Sequence, residues 1–300
     1  MADKIEIQRK GKIVVQAEYS GFCHGVSQAI KKAEQAAELY RGEDRKIYTF
    51  GPIIHNQDAV NDLKAKGVEI CNNIDDAEKD DVLIIRSHGV GKETEDELRK
   101  SCHSLVDATC PHVKKIHQLA EKAHHQKKTV VIIGDENHPE VIGIDGWCEN
   151  QAVIFGTPQD ILKPENEERL KSSDSIYVVA QTTLNQRVWD ECAALIRERY
   201  PQAELICTIC SATANRQTAC KRVAEASELM IVIGGHSSSN SKKLFEIASD
   251  ACEKTFFIEN RDSLPADEIK KYHKIGISAG ASAPKRIISE VISEIEKIIG

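Results

Sequence analysis

Residues 104–123 read SLVDATCPHVKKIHQLAEKA: a β-branched run, then Cys110, then apolar residues at helical spacing. The same order recurs as VVQAEYSGFCHGVSQAIKKAE around Cys23 and as AELICTICSATANRQTACKRVAEA around Cys210. This repetition indicates three degenerate copies of one unit. Short apolar strands that alternate with amphipathic helices are typical of parallel sheets, so we predict an α/β fold.

Twelve short runs are predicted as strands, four in each copy. They lie at 12–16, 46–50, 68–70, 82–86, 104–108, 129–133, 152–155, 175–180, 203–206, 229–233, 254–258 and 274–278. Helical periodicity marks Val26–Tyr40, Val113–Ala123, Val188–Ile196 and, after Pro284, Ile287–Ile299. We predict three α/β domains, at 25–109, at 110–208, and at 209–300 together with the N-terminal strand of 1–24.

Composition excludes several classes of protein. The 300 residues carry 47 acidic and 40 basic side chains, a formal net charge of −7, which disfavours a nucleic-acid partner. No apolar run approaches the roughly 18 residues of a membrane span, so we expect no membrane partner. The first residues, MADKIEIQRKGK, lack a signal-peptide core, and we expect a cytoplasmic protein.

Polar turns follow two strands of each copy. One set reads FGPIIHN (50–56), IGDENHPE (133–140) and IGGHSSSN (233–240); the other reads RSHGV (86–90), AQTTL (180–184) and SAGASAP (278–284). Ligands of open α/β sheets bind beyond the carboxyl ends of strands, so a three-fold arrangement would aim these turns at one central cavity. Their histidines, hydroxyls and backbone amides are donors suited to a phosphate or diphosphate.

Cysteine usage is the other unusual feature, with ten in the chain. Cys23, Cys110 and Cys210 stand at strand-to-helix junctions, where a helix dipole favours the thiolate form. Three converging thiolates fit an iron–sulfur cluster with one open iron; a catalytic zinc fits less well, and three independent buried cysteines remain the alternative. Cys207 is expected in the core, as are Cys71, Cys102, Cys148, Cys192, Cys220 and Cys252. Histidines on helices, such as His117, are expected to be mostly solvated.

Nine motifs in order resemble those of the 4-hydroxy-3-methylbut-2-enyl diphosphate reductases, the LytB/IspH family. They are GFCHGV (21–26), GPIIHNQ (51–57), RSHGV (86–90), DATCPHV (107–113), NHPEVIG (137–143), AQTTL (180–184), TICSATANRQ (208–217), SSSNS (237–241) and SAGASAP (278–284). The resemblance runs from about Val14 to the C-terminus. It implies three pseudo-threefold-related α/β domains, a trefoil, around a central 4Fe–4S cluster.

The resemblance also implies the reaction and its residues. The reaction is reductive removal of an allylic hydroxyl, with ferredoxin or flavodoxin as the electron donor and isopentenyl and dimethylallyl diphosphates as products. The implied cluster ligands are Cys23, Cys110 and Cys210. The implied substrate-binding residues are His55, His88, His138, Ser238, Ser239, Asn240 and Ser282. Glu140, Thr183 and His138 are the implied catalytic residues, with Glu140 supplying protons, directly or through Thr183.

Three residues depart from the family's commoner choices: His24, Ser211 and Ala214. We expect them to tune the cluster rather than abolish function. The alternative function is a non-catalytic iron–sulfur redox sensor that uses the same cysteines, and a hydrolytic zinc enzyme is third. Glu140, Thr183 and the serine–asparagine turn favour the enzyme, since a sensor needs no diphosphate pocket.

Overall fold

The strands form where the sequence places short β-branched runs. The computed structural model describes residues 6–102 and 104–300. All twelve predicted runs form strands there, and one further strand precedes them. The strands are β1 (Glu6–Arg9), β2 (Lys12–Gln16), β3 (Ile47–Phe50), β4 (Val68–Cys71), β5 (Val82–Ile85), β6 (Ser104–Asp107), β7 (Thr129–Ile133), β8 (Val153–Phe155), β9 (Ile176–Ala180), β10 (Glu204–Leu205), β11 (Leu229–Ile233), β12 (Thr255–Ile258) and β13 (Lys274–Ala279).

Helices fill most of the chain between these strands. They are α1 (His24–Leu39), α2 (Gln57–Lys64), α3 (Lys92–Ser101), α4 (Pro111–His125), α5 (Pro139–Gly146), α6 (Pro158–Ile161), α7 (Pro164–Lys171), α8 (Gln186–Arg199), α9 (Ser211–Glu225), α10 (Ser239–Ala251), α11 (Ala266–Ile269) and α12 (Lys285–Ile299), with 3₁₀ turns at Ile74–Asp76 and Arg261–Ser263. The four predicted helices correspond to α1, α4, α8 and α12. Within the described ranges, no helix is both long and apolar enough to cross a bilayer.

Three sheets share one strand order. The orders are β4-β3-β5-β6, β8-β7-β9-β10 and β12-β11-β13-β2, and neighbouring strands in them are parallel. β1 extends the third sheet as an antiparallel neighbour of β2. The predicted α/β class with three repeated parallel sheets is confirmed. In the third sheet the fourth strand, β2, comes from the N-terminal end of the chain.

The chain divides into two compact units. Unit 1 contains the described part of Met1–Val26, His55–Asn61 and Ser211–Gly300, and therefore the sheet of β1, β2 and β11–β13. Unit 2 contains Ser27–Ile54 and Asp62–Cys210, and therefore the other two sheets. Each sheet lies within one of the three predicted domain ranges, whose exact boundaries stay predictions.

Central strands are buried on both faces, which explains their continuous apolar character. Side chains alternate along a strand, and in β7 Val131 and Ile133 join one apolar cluster while Val130 and Ile132 join another. In β11 of unit 1, Ile231 and Val232 likewise fall into different clusters. Helices therefore cover both faces of these sheets, and the polar turns are left at the strand ends.

Candidate active site

Each of the three repeat cysteines directly precedes the first residue of a helix. Cys23 precedes α1, Cys110 precedes α4 and Cys210 precedes α9. Each backbone N–H donates to the turn of a neighbouring strand: Cys23 to the Ala281 carbonyl at 3.3 Å, Cys110 to Ser87 at 2.9 Å, and Cys210 to Thr182 at 3.1 Å. These acceptors come one residue before Ser282, His88 and Thr183, so the repeat predicted from sequence recurs as one hydrogen bond in each copy.

The donor set fits a thiolate-bound cluster. Cys23, Cys110 and Cys210 are partly exposed free thiols, whereas the six cysteines predicted as structural are buried. Burial raises the pKa of Cys148 and of Cys192 to about 12, so these core thiols are unsuited to act as thiolate ligands. The Cys23 sulfur also accepts a hydrogen bond from the Val26 N–H at 3.5 Å, which is the stabilisation that a helix N-terminus gives a thiolate.

One sequence-based expectation is wrong, and another has an exception. Cys207 is exposed rather than part of the core, because β10 ends at Leu205 and the chain leaves the sheet before the cysteine. His117 is only 4% exposed rather than solvated, because its position on α4 faces the rest of unit 2. Its spacing from Val113 and Ala120, four and three residues away, places it on the buried face of the helix.

In unit 2, Glu140 is a buried carboxyl group bound at both oxygens. It is 2% exposed; the Thr182 backbone N–H donates to Oε1 and the Thr182 hydroxyl to Oε2, each at 2.6 Å. Burial raises the pKa of Glu140, and the two Thr182 hydrogen bonds partly oppose that rise. A carboxyl group that keeps its proton above the usual range is suited to proton donation.

The partner of Glu140 is Thr182, not Thr183. The Thr183 hydroxyl instead accepts a hydrogen bond from the Gln181 amide at 2.9 Å. Sequence reasoning missed Thr182 because both threonines occur in the same AQTTL turn. A structural link also joins this pair to a candidate cluster ligand, since the Thr182 carbonyl accepts from the Cys210 N–H.

His138 lies at the N-terminus of α5, two residues before Glu140. Its Nδ1 accepts a hydrogen bond from the Glu140 N–H at 3.1 Å. A backbone N–H can only donate, so Nδ1 carries the lone pair and the neutral ring holds its proton on Nε2. The His88 ring packs edge-on against His138, with centroids 5.5 Å apart. Unit 2 thus brings His88, His138 and Glu140 together.

In unit 1, hydroxyl groups converge at the N-terminus of α10. The Ser282 hydroxyl lies 3.2 Å from the His55 carbonyl and 3.2 Å from the Ser238 hydroxyl. Ser238 caps α10, and its hydroxyl oxygen lies 3.0 Å from the hydroxyl oxygen of Ser241, which is fully buried. Ser241 belongs to the SSSNS motif but was not among the predicted site residues. A Cβ at Gly280 would lie only 2.0 Å from the Ser241 oxygen, so this close approach requires glycine there.

Asn240 carries a buried side-chain amide at the N-terminal end of α10. It is 4% exposed, and neither polar atom of its amide has a hydrogen-bond partner among the described residues. A buried amide without partners is costly, so such a group normally marks a binding site. Asn240 and Ser239 lie in the first turn of α10, whose N-terminal end favours an anion.

Comparisons with known proteins agree with the motif resemblance. The family model described as LytB protein matches residues 14–296. The 4-hydroxy-3-methylbut-2-enyl diphosphate reductase of Alkaliphilus oremlandii (strain OhILAs) is 41% identical over 286 residues, which cover 95% of this chain and 99% of that protein.

Two solved structures have a similar fold. One is (E)-4-hydroxy-3-methyl-but-2-enyl diphosphate reductase, the terminal enzyme of the non-mevalonate pathway, at 37% identity and a TM-score of 0.68, covering 95% of this chain and 99% of that one. The other is E-1-hydroxy-2-methyl-but-2-enyl-4-diphosphate reductase from Plasmodium falciparum, at 28% identity and a TM-score of 0.86, covering 94% of this chain and 87% of that one. The chain belongs to the LytB family.

Proposed function

We propose that this protein is a 4-hydroxy-3-methylbut-2-enyl diphosphate reductase of the non-mevalonate isoprenoid pathway. Membership of the LytB family supports the proposal, and the observation that carries it is the buried Glu140–Thr182 pair beside two histidines. A redox sensor needs no buried proton donor next to an anion site. The reductase reading is therefore preferred over the sensor.

The reaction consumes two electrons and two protons. The allylic C–O bond breaks, the hydroxyl group takes one proton and leaves as water, and the remaining five-carbon unit takes the other proton at carbon. Protonation at either end of the allyl unit gives isopentenyl or dimethylallyl diphosphate. The protein must therefore bind a diphosphate, bring a proton to the hydroxyl oxygen, and admit electrons.

The cofactor in this proposal is a 4Fe–4S cluster held by Cys23, Cys110 and Cys210. Support comes from the shared local geometry of the three thiols and from the family. When bound, the cluster supplies the electrons and a Lewis-acidic iron for the hydroxyl oxygen. Exposed Cys207 is not assigned as a ligand.

The diphosphate-binding residues in this proposal are His55, His88, His138, Ser238, Ser239, Asn240 and Ser282. Because Nδ1 of His138 accepts the hydrogen bond from Glu140, the ring proton lies on Nε2, and this N–H can donate to a phosphate oxygen. The Asn240 amide group supplies two more N–H donors that have no partner among the described residues. Hydrogen bonds to a charged diphosphate are stronger than neutral ones. Binding through these groups orients the hydroxyl end of the substrate.

Glu140 is the proton donor in this proposal, with the Thr182 hydroxyl beside it. A hydroxyl donates to an ionised carboxylate and accepts from a protonated one, so the 2.6 Å contact persists in both states of Glu140. Thr182 thus holds the carboxyl group in place through a catalytic cycle. Thr183 keeps its proposed place near the substrate hydroxyl.

The remaining partners follow from the reaction. The substrate is a small-molecule allylic diphosphate, and the electron donor is ferredoxin or flavodoxin, delivering one electron at a time. The proposed compartment is the cytoplasm, where these carriers and the substrate occur together and where thiols stay reduced.

Replacing Thr182 with valine is expected to lower kcat about tenfold to 100-fold, because a hydrogen bond to an ionisable group contributes about 1.5–3 kcal/mol. Thr218→Val, at an exposed position of α9, is the control and should stay within about threefold of the parent kcat. Steady-state rates on protein of equal iron content measure this. Equal losses in the two variants would contradict the assignment of Thr182 to Glu140.

His138→Asn separates two roles of this histidine. Asparagine can cap α5 as Nδ1 does, but it lacks the Nε2–H donor, so substrate Kd should rise about tenfold or more while melting temperature is kept. Calorimetric titration of cluster-loaded protein gives Kd, and exposed His125→Asn on α4 is the control. An unchanged Kd would remove His138 from the diphosphate site.

Product analysis tests the proposed function against the sensor. Anaerobically purified, cluster-loaded protein is incubated with a low-potential electron donor and the allylic diphosphate alcohol, and diphosphates are separated by chromatography. The reductase yields both five-carbon products. Unchanged substrate from protein with intact iron and sulfide would support the sensor, and zinc without sulfide would support a hydrolase.

A further inference from the structure

His117 is a buried histidine that the reaction described above does not use. Its ring stacks on Trp147, with centroids 5.3 Å apart and planes 20° from parallel. Trp147 ends α5 and donates its indole N–H to the Val90 carbonyl at 2.9 Å. The His117–Trp147 stack therefore lies against both the end of α5 and the turn that follows His88.

Two glycines fit against the edge of the His117 ring. A Cβ at Gly89 would lie 2.6 Å from the Cε1 atom of His117, so no other residue fits there without moving the ring. A Cβ at Gly143 would lie 3.5 Å from Nε2 of His117 and 3.7 Å from the His88 carbonyl oxygen. Gly89 adjoins His88, and Gly143 follows Glu140 by one helical turn.

His117 also belongs to α4, the helix that begins directly after Cys110. One ring thus touches the His88 turn and the helix that carries Glu140, and it is fixed to the segment of a candidate cluster ligand. Burial lowers the pKa of His117 to about 4, while Asp107 raises it and Lys114 lowers it, so the ring stays uncharged near neutral pH. A flat uncharged ring can pack tightly against both backbone segments.

We propose that His117 is a positioning residue for the reductase reaction: its ring packs on the His88 turn and on the Glu140 helix where the two segments meet, and it fixes how they are placed against each other. This inference rests on the proposed function of Glu140 and His88. Displacing reacting groups by about 1 Å can cost about 100-fold in rate, so losing a ring that packs on both segments should have a large effect.

Three substitutions test the inference in cluster-loaded protein. His117→Ala removes the ring and should lower kcat about 100-fold and raise substrate Kd, with iron content kept. His117→Gln keeps a flat polar group of similar reach and should restore most of the rate. His117→Phe keeps the stack on Trp147 but adds an atom towards the two glycines, so it should fold and still lose rate.

The control must be equally destabilising but remote from the site. Ile196→Ala empties a fully buried position of α8 in the cluster on the other face of the sheet. If His117→Ala and His117→Phe both match Ile196→Ala in kcat and Kd, His117 is a packing residue only and the inference is overturned. Should His117→Ala fail to fold, the Phe and Gln variants carry the same comparison.

Hydrogen exchange gives a readout that does not depend on turnover. Peptides spanning 86–92 and 138–147 should exchange faster in His117→Ala than in the parent, whereas Ile196→Ala should leave them unchanged. Unchanged exchange in both peptides would overturn the positioning role even if activity falls. A parent protein without turnover would instead refute the proposed function while this exchange result still stands.

Discussion

Cys210→Ser is expected to abolish the reductase activity and the intact cluster together. A serine hydroxyl is a hard, weakly acidic ligand that cannot replace a thiolate on iron. Loss of a mere hydrogen-bond partner of a ligand typically costs about 10–100-fold in activity or metal affinity, so loss of the ligand itself should cost more than about 100-fold. Iron and acid-labile sulfide per chain, together with turnover, measure the effect after anaerobic reconstitution.

The chain offers a matched control three residues away. Cys207 is an exposed cysteine in the same C-T-I-C segment, and it is not assigned as a ligand. Cys207→Ser should keep parental iron, sulfide and turnover. If Cys210→Ser also retains all three, Cys210 is not a ligand; if the two variants lose the cluster equally, the assignment within the segment is wrong.

Glu140→Gln is expected to lower kcat by about 10²–10⁴-fold while substrate Kd and cluster content hold. The amide keeps the shape and can still pair with Thr182, but it has no proton to give, and general acid catalysis is typically worth that much. Exposed Glu136→Gln in the same turn is the control. Full activity of Glu140→Gln would exclude Glu140 as the proton donor.

The pH profile of the parent tests the same residue with a definite sign. Burial raises the pKa of Glu140, so its acid form persists above the usual range and turnover should fall as pH rises through that raised value. The residual turnover of Glu140→Gln should not fall as the pH rises through the same range. An identical fall in both proteins would assign it to another group.

Most of the fold could be predicted because its strands are continuous apolar runs. Strand β7 (Thr129–Ile133) has only one polar residue and is buried on both faces, which identifies it from composition alone. Strand β1 (Glu6–Arg9) was missed for the opposite reason: it is a polar edge strand in a hairpin, EIQR, in which only Ile7 packs against the core. Charged residues on an edge strand protect the sheet from pairing with other chains, but they leave no apolar run by which the strand could be recognised in the sequence.

The sequence predicted a threonine of the AQTTL turn near Glu140, and the structure was needed to tell which of the two threonines bonds it. The AQTTL turn presents two threonines with the same chemistry, and only the backbone conformation decides that Thr182 meets Glu140. His117 was missed although it lies on the apolar stripe of α4, four residues after Val113 and three before Ala120, because only its residue type and its Lys and Gln neighbours were weighed. Single-residue orientation depends on packing partners that lie far away in sequence.

The most direct test of the central claim is the electron stoichiometry of turnover. Oxidation of reduced methyl viologen is followed anaerobically on cluster-loaded protein, with and without the allylic diphosphate alcohol, and products are counted in the same sample. We expect substrate-dependent oxidation of two viologens for each isopentenyl or dimethylallyl diphosphate formed, and a rate that is at least about 100-fold lower in Glu140→Gln. Viologen oxidation that is independent of substrate, or protein with an intact cluster that forms neither product, would contradict it.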